Sequence, residues 1–208
     1  MAPTGRQPRT IRLGDAVSAP RQTAPAADLA RTVVFAAFIA VLGLFPGFYL
    51  AGAAVPVVLQ NAGPLLAGSV LGARRGTASV LLFVALTAIG LPLLSGGRGG
   101  IAPFIGPSGG FLLGWILSAL VVGLIVGRSA KPGIAVLLLA NLAGVAADYL
   151  IGIPYWGLMI GDLPSAAVQS LVFLPGDAVK LVAVSLIAVA VHRAAPQAPA
   201  GTRRPAES

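Results

Sequence analysis

The chain has 208 residues, 57% of them hydrophobic and 10% charged, against about a quarter charged in an ordinary soluble domain. That excludes both a water-soluble globular domain and a disordered chain, and the 27 glycines follow no G-x-y period, which excludes collagen. The net charge of +8 sits at the edges of long uncharged stretches rather than in one basic patch, which argues against a nucleic-acid partner.

Residues 1–28 are polar, contain proline and carry Arg6, Arg9, Arg12 and Arg21. Without an apolar stretch they do not read as a cleavable signal, and they predict a disordered basic tail. Residues 29–193 predict a membrane domain. Residues 32–73 hold no charge in 42 positions, and 76–97 and 99–127 are uncharged as well. A span needs roughly 20 apolar residues. Six spans are expected, near 29–45, 56–72, 77–94, 109–127, 133–152 and 167–192. In the last, Pro175-Gly176-Asp177 suits a helix start, so the final helix is expected near Pro175 after a separate short helix at 164–173. Residues 194–208 read as a second disordered tail. The expected fold is all-α, one polytopic bundle of about six transmembrane helices.

Six spans put both tails on one side. Twelve of the 14 Lys and Arg then fall there, the opposite side holds only Arg98, and Lys180 lies inside a span. That asymmetry predicts cytoplasmic termini in a multi-pass cell-membrane protein. Small residues recur four apart, as at Ala36 and Ala40, which suits close helix approach inside the bundle or against another membrane subunit.

Several chemistries find no support. The chain has no cysteine, hence no disulfide, thiolate metal site or cysteine nucleophile. Neither Lys131 nor Lys180 follows a glycine, so no Walker A loop is present, and no G-x-S-x-G occurs. His192 is the single histidine, expected at a membrane interface; no His/Asp/Glu cluster suggests a metal, and no cofactor is expected.

Ionisable residues inside spans are costly and point to function. Asp177 and Lys180 are three apart and share a helix face, as a structural ion pair or as part of a ligand pocket. Asp148 lies near the outer end of the fifth span. Gln60 and Asn61 offer amide donors and acceptors to a ligand or to neighbouring helices. Residues 95–100 put four glycines around Arg98, a mobile segment that can act as a lid, with Arg98 either solvated or attracting an anion. Trp115, Tyr149, Tyr155 and Trp156 suit aromatic walls or interfacial belts.

The runs Pro56-Val57-Val58-Leu59-Gln60-Asn61, Gly90-Leu91-Pro92, Gly96-Gly97-Arg98-Gly99-Gly100 and Gly106-Pro107-Ser108-Gly109-Gly110-Phe111, then Tyr149-Leu150-Ile151-Gly152-Ile153-Pro154 and Phe173-Leu174-Pro175-Gly176-Asp177-Ala178-Val179-Lys180, occur in one order. Over about 30–192 the chain resembles the BioY family, biotin-binding S components of energy-coupling factor (ECF) transporters. One departure is Asn61-Ala62 after Gln60, where Thr-Leu is commoner in the family. The resemblance implies a non-enzymatic subunit that captures extracellular biotin. Uptake would be driven by a membrane coupling (T) subunit and by ATPase (A) subunits that consume the ATP. Read from their own chemistry, Asp177, Lys180, Gln60, Asn61, Arg98, Asp148, Tyr149 and Trp156 are the candidate ligand contacts, and the resemblance implies docking of the coupling subunit at Ala36 and Ala40. The rival readings are an S component for another vitamin and a membrane-embedded lipid-modifying enzyme.

Overall fold

The computed structural model describes residues 24–48 and 55–194; the tail readings for 1–23 and 195–208 lie outside them. Its helices are α1 (Ala24–Leu42), α2 (Ala62–Ala88), α3 (Ala102–Ile105), α4 (Gly109–Val126), α5 (Ile134–Ile160), α6 (Leu163–Ser170) and α7 (Leu174–Ala194), with a 3-10 turn at Leu171–Phe173 joining the last two. Among the described residues there is no strand, only isolated bridges between Phe48 and Val57 and between Leu94 and Arg98. Four units, α2, α4, α5 and α6 to α7, are long and apolar enough to cross a membrane. The side chains they turn outward, such as Leu139, Leu150, Leu158 and Val179, are apolar and exposed, as a lipid-facing surface requires.

Two expected boundaries move. α1 begins at Ala24, so 24–28 belong to a helix and not to the tail. The expected second and third spans form the two parts of α2, broken at Gly72 with φ 77° and ψ −179°. The break reverses the chain. A Cβ on Gly76 would lie 2.6 Å from the Ala67 carbonyl oxygen, whereas nine residues of straight helix are about 13.5 Å apart. α2 is therefore a hairpin with arms at 62–71 and 73–88, its turn pressed against Gly123 of α4. The six expected spans fall on α1, these two arms, α4, α5 and α6 with α7; α1 is not among the four units long and apolar enough to cross a membrane.

The first arm has about ten residues, so about 15 Å, half the hydrocarbon core. The rest of its pass, 55–59, is not the expected helix. Pro56 has no N–H to donate, and the segment is extended, held by Phe48 N–H to the Val57 carbonyl at 2.9 Å and the reverse bond at 2.8 Å. Irregular backbone at membrane depth is tolerated where it lines a cavity inside the protein.

The ends of the bundle are set by contacts. At one end Arg75 meets Asp28 at 2.7 Å, the turn at Gly72 packs on Gly123, and His192 Nε2 lies 2.9 Å from the Ser69 carbonyl oxygen. At the other end the Gln60 amide donates to the carbonyls of Ile39 at 3.0 Å and Leu93 at 2.8 Å, and Tyr155 Oη donates to Phe104. Between them, Asn141 accepts from Ser69 at 3.1 Å and donates to Ser185 at 3.0 Å, tying α2, α5 and α7 through the apolar interior. α7 is thereby fixed against the first arm of α2, which sets the register of the groups beyond their ends.

Ala36 does not present a groove to another subunit. It is 2% exposed and packs with Ile39, Ala67, Val80 and Phe83, with Ala40 alongside. Ala36 thus packs inside the bundle, while Ala40 is only partly buried and edges a second cavity with Val41, Gly43 and Leu44.

Candidate functional site

Two helix N-termini meet at the end of the bundle marked by Gln60. α7 starts at Leu174 with Pro175 in its first turn and places Asp177 near its positive end. Three residues on, Lys180 follows on the same face. The first arm of α2 starts after Asn61, whose N-cap position predicts a side chain turned to its own helix. The side chain makes no such bond. It reaches α7 instead, donating Nδ2 to Asp177 Oδ1 at 2.9 Å and accepting from Lys180 Nζ at 2.7 Å.

Lys180 is saturated. Besides Asn61 it meets Asp177 Oδ1 at 2.7 Å and donates to the Val58 carbonyl at 3.0 Å, which takes all three ammonium donors. Asp177, 3% exposed, accepts from Asn61 and Lys180 on Oδ1 and from Tyr149 Oη on Oδ2 at 2.6 Å. A buried pair of charges is tolerable when hydrogen bonds satisfy both partners. The extended backbone at Val58 supplies an acceptor that a helix would have kept for itself.

These groups line one cavity together with Gln60, Arg98, Ser108, Leu112, Trp115 and Asp148. Its apolar wall comes from Val55, Val57, Phe111 and Phe173, the two rings meeting edge to face with centroids 5.9 Å apart. Tyr149 packs on Phe111 in the same way at 6.1 Å. Polar groups at one place and aromatic rings around them are what a pocket for a small amphiphilic molecule needs.

Other expected residues stand differently. Gln60 is 1% exposed and its amide is engaged on three sides, with Ile39 and Leu93 on Nε2 and the Ser95 N–H on Oε1 at 3.2 Å. It latches the 91–100 loop to α1 more than it offers atoms to a ligand. Arg98 is half-buried, donates Nε to the Ser95 carbonyl at 3.1 Å and meets no carboxylate among the described residues. Trp156 does not line the cavity. It is fully buried behind the wall, 6.3 Å from Phe173 and 6.4 Å from Phe111 between ring centroids. Asp148 lines the cavity on α5, 7% exposed. The Val58 carbonyl and the Phe111 and Phe173 rings escaped residue-by-residue reading, since an apolar residue in an apolar span carries no mark of which face it shows.

The fold and the pocket define a polytopic helical membrane protein with a charged ligand cavity at one end of its bundle. The model of the BioY family matches residues 16–197, and the chain belongs to that family. The biotin transporter BioY of Rhizobium etli is 42% identical over 181 residues, covering 83% of this chain and 97% of that one. Its counterpart in Rhodobacter capsulatus is 44% identical over 177 residues, 79% of this chain and 93% of the other. A crystal structure of the S-component for biotin from an ECF-type ABC transporter superposes with a TM-score of 0.76 at 34% identity, over 84% of this chain and 93% of that one.

Proposed function

We propose that this protein is the biotin-capturing S component of an ECF vitamin importer, a transport subunit rather than an enzyme. The observation that carries the reading is the hydrogen-bonded Asn61–Asp177–Lys180–Tyr149 cluster lining an aromatic cavity, in a chain of the BioY family. Biotin has a ureido group with two N–H donors and a carbonyl acceptor, an apolar thioether ring and a carboxylate tail. The cluster takes the ureido end. Asn61 gives one amide hydrogen to Asp177 and has a second for the ureido oxygen. The rings of Phe111, Trp115 and Phe173 cover the thioether ring. Lys180 is already neutralised by Asp177, so the carboxylate tail goes to Arg98, the lining cation without a carboxylate partner among the described residues.

The cavity faces the extracellular side, and both termini are cytoplasmic. Twelve of 14 Lys and Arg on the side opposite Arg98 support that orientation. A membrane T subunit and ATPase A subunits supply the energy, in keeping with a sequence that has no Walker A loop. Purified protein in detergent is expected to retain biotin and to discriminate against other vitamins. Failure to bind biotin, or equal retention of an unrelated vitamin, overturns the assignment.

A further inference from the structure

Two carboxylates line the cavity, and they differ in what they still have to offer. Asp177 has partners on both oxygens, three bonds in all from Asn61, Lys180 and Tyr149. Asp148 is 7% exposed and lines the cavity; its Oδ1 is buried against Gly114 of α4 with no hydrogen-bond partner, and no hydrogen bond to its other oxygen is found among the described residues. Gly114 of α4 makes this arrangement possible: a Cβ there would strike Asp148 Oδ1 and would come within 3.0 Å of the Asp148 Cα. α4 thus leaves room for a carboxyl group it does not bond. A buried polar atom without a partner costs roughly 1–3 kcal/mol, so the ligand-free bundle pays for this residue.

We infer that Asp148 is a specificity-determining residue that accepts a ureido N–H of the ligand, beside an Asp177 that already accepts three bonds. The inference rests on biotin being the ligand. Asp148 then recognises the feature that separates a cyclic urea from an ester or a simple ring of similar shape, namely an N–H donor beside the carbonyl. Asn61 meets the carbonyl, and Asp148 meets the donor from the α5 wall. An acceptor already bonded inside the protein would have to break that bond to bind ligand, and the Asp148 Oδ1 has no such bond to break.

The test is a chemical double-mutant cycle with stability as a second readout. Biotin and the two biotins singly methylated at a ureido nitrogen are titrated against the wild type, Asp148→Asn and Asp148→Ala. The wild type is expected to bind one methylated isomer at least tenfold more weakly than biotin, and Asp148→Ala to lose most of that difference while binding biotin about ten- to a hundredfold more weakly. Asp148→Asn, near in size, falls between. Both variants are expected to melt, without ligand, at the wild-type temperature or above it, because an unpartnered buried carboxylate has been removed. A purely structural carboxylate would lower the melting temperature and leave the discrimination between isomers intact, and that result overturns the inference. A wild type that does not bind biotin overturns the biotin reading itself. A wild type that binds biotin while both variants keep its affinity and its discrimination overturns this inference alone.

Discussion

Asn61 and Asp177 are 116 residues apart in the chain and 2.9 Å apart in space, amide nitrogen to carboxylate oxygen. The bond joins the start of the broken α2 to the start of α7, so each helix end depends on the other for its position. Lys180 closes the triangle by meeting both. A ligand that engages Asn61 therefore acts on the ion pair as well, and the three residues function as one unit.

Asp177→Asn, Lys180→Ala and Asn61→Ala should each weaken biotin binding about ten- to a hundredfold, the range for a lost charge-assisted bond of roughly 1.5–3 kcal/mol. The effects should be less than additive in pairs, because each single change already unmakes the triangle. Lys180→Ala leaves Asp177 a buried, half-paired charge, so membrane insertion and monodispersity are checked first. Titration of the purified variants measures the outcome; wild-type affinity in all three would move the cluster from binding to structure.

Much of this site could be read from the sequence because charge is scarce there. Asp177 and Lys180 stand out in an apolar span, and Pro175 marks the start of the helix that carries them. The reversal between the second and third spans was legible as well, because Arg74 and Arg75 interrupt the run there. The late start of the first arm at Ala62 and the contact between Gly76 and Ala67 could not be read, since both depend on tertiary packing. The same limit hid the partners of Gln60: an amide in a span announces a bond but not whether ligand or backbone receives it. Ala36 and Ala40 were legible as a close-packing pair, but spacing alone does not distinguish a helix of this chain from one of another.

Gln60→Glu is nearly isosteric and replaces a donor to two carbonyls with an acceptor. It should set the carboxyl against Ile39 O and Leu93 O and cost on the order of 2–4 kcal/mol. The expected signs are a lower melting temperature and faster proteolysis in the 91–100 loop. Unchanged values for both would mean that the latch does not hold the loop.

Gly72→Ala and Gly123→Ala should both destabilise, for different reasons. At Gly72 a Cβ meets nothing within 4 Å, so the penalty is conformational: φ 77° with ψ −179° is a region essentially confined to glycine and costs about 1–3 kcal/mol for other residues. At Gly123 the backbone is ordinary helix, and a Cβ would strike the Ala73 nitrogen. Thermal unfolding in detergent measures each. A neutral Gly72→Ala would mean that the chain does not reverse through that conformation.

Orientation can be tested with single cysteines, since the chain has none. Ile101 is 63% exposed beside the glycine-rich loop, and Ala130 is exposed in the connection between α4 and α5. Ile101→Cys in intact cells should react with an impermeant thiol reagent, and Ala130→Cys should react only after permeabilisation. The opposite pattern would invert the proposed topology.

The two faces of α1 make opposite predictions. Ala36 is inside the bundle against Ile39 and Ala67, whereas Ala37, one position on, is exposed. Adjacent helical residues point about 100° apart, so a bulky side chain at one probes packing and at the other probes the outer surface. Ala36→Trp overfills a core position, which typically costs about 1–3 kcal/mol or more, and should lower the melting temperature and biotin binding together. Ala37→Trp should leave both intact. If the proposed coupling subunit docks on this outer face, Ala37→Trp should also reduce copurification with that subunit and ATP-dependent uptake. Biotin binding and thermal unfolding decide the first half, and copurification decides the second. A stable, biotin-binding Ala36→Trp that fails only in complex formation would return the docking face to Ala36 and refute its internal packing.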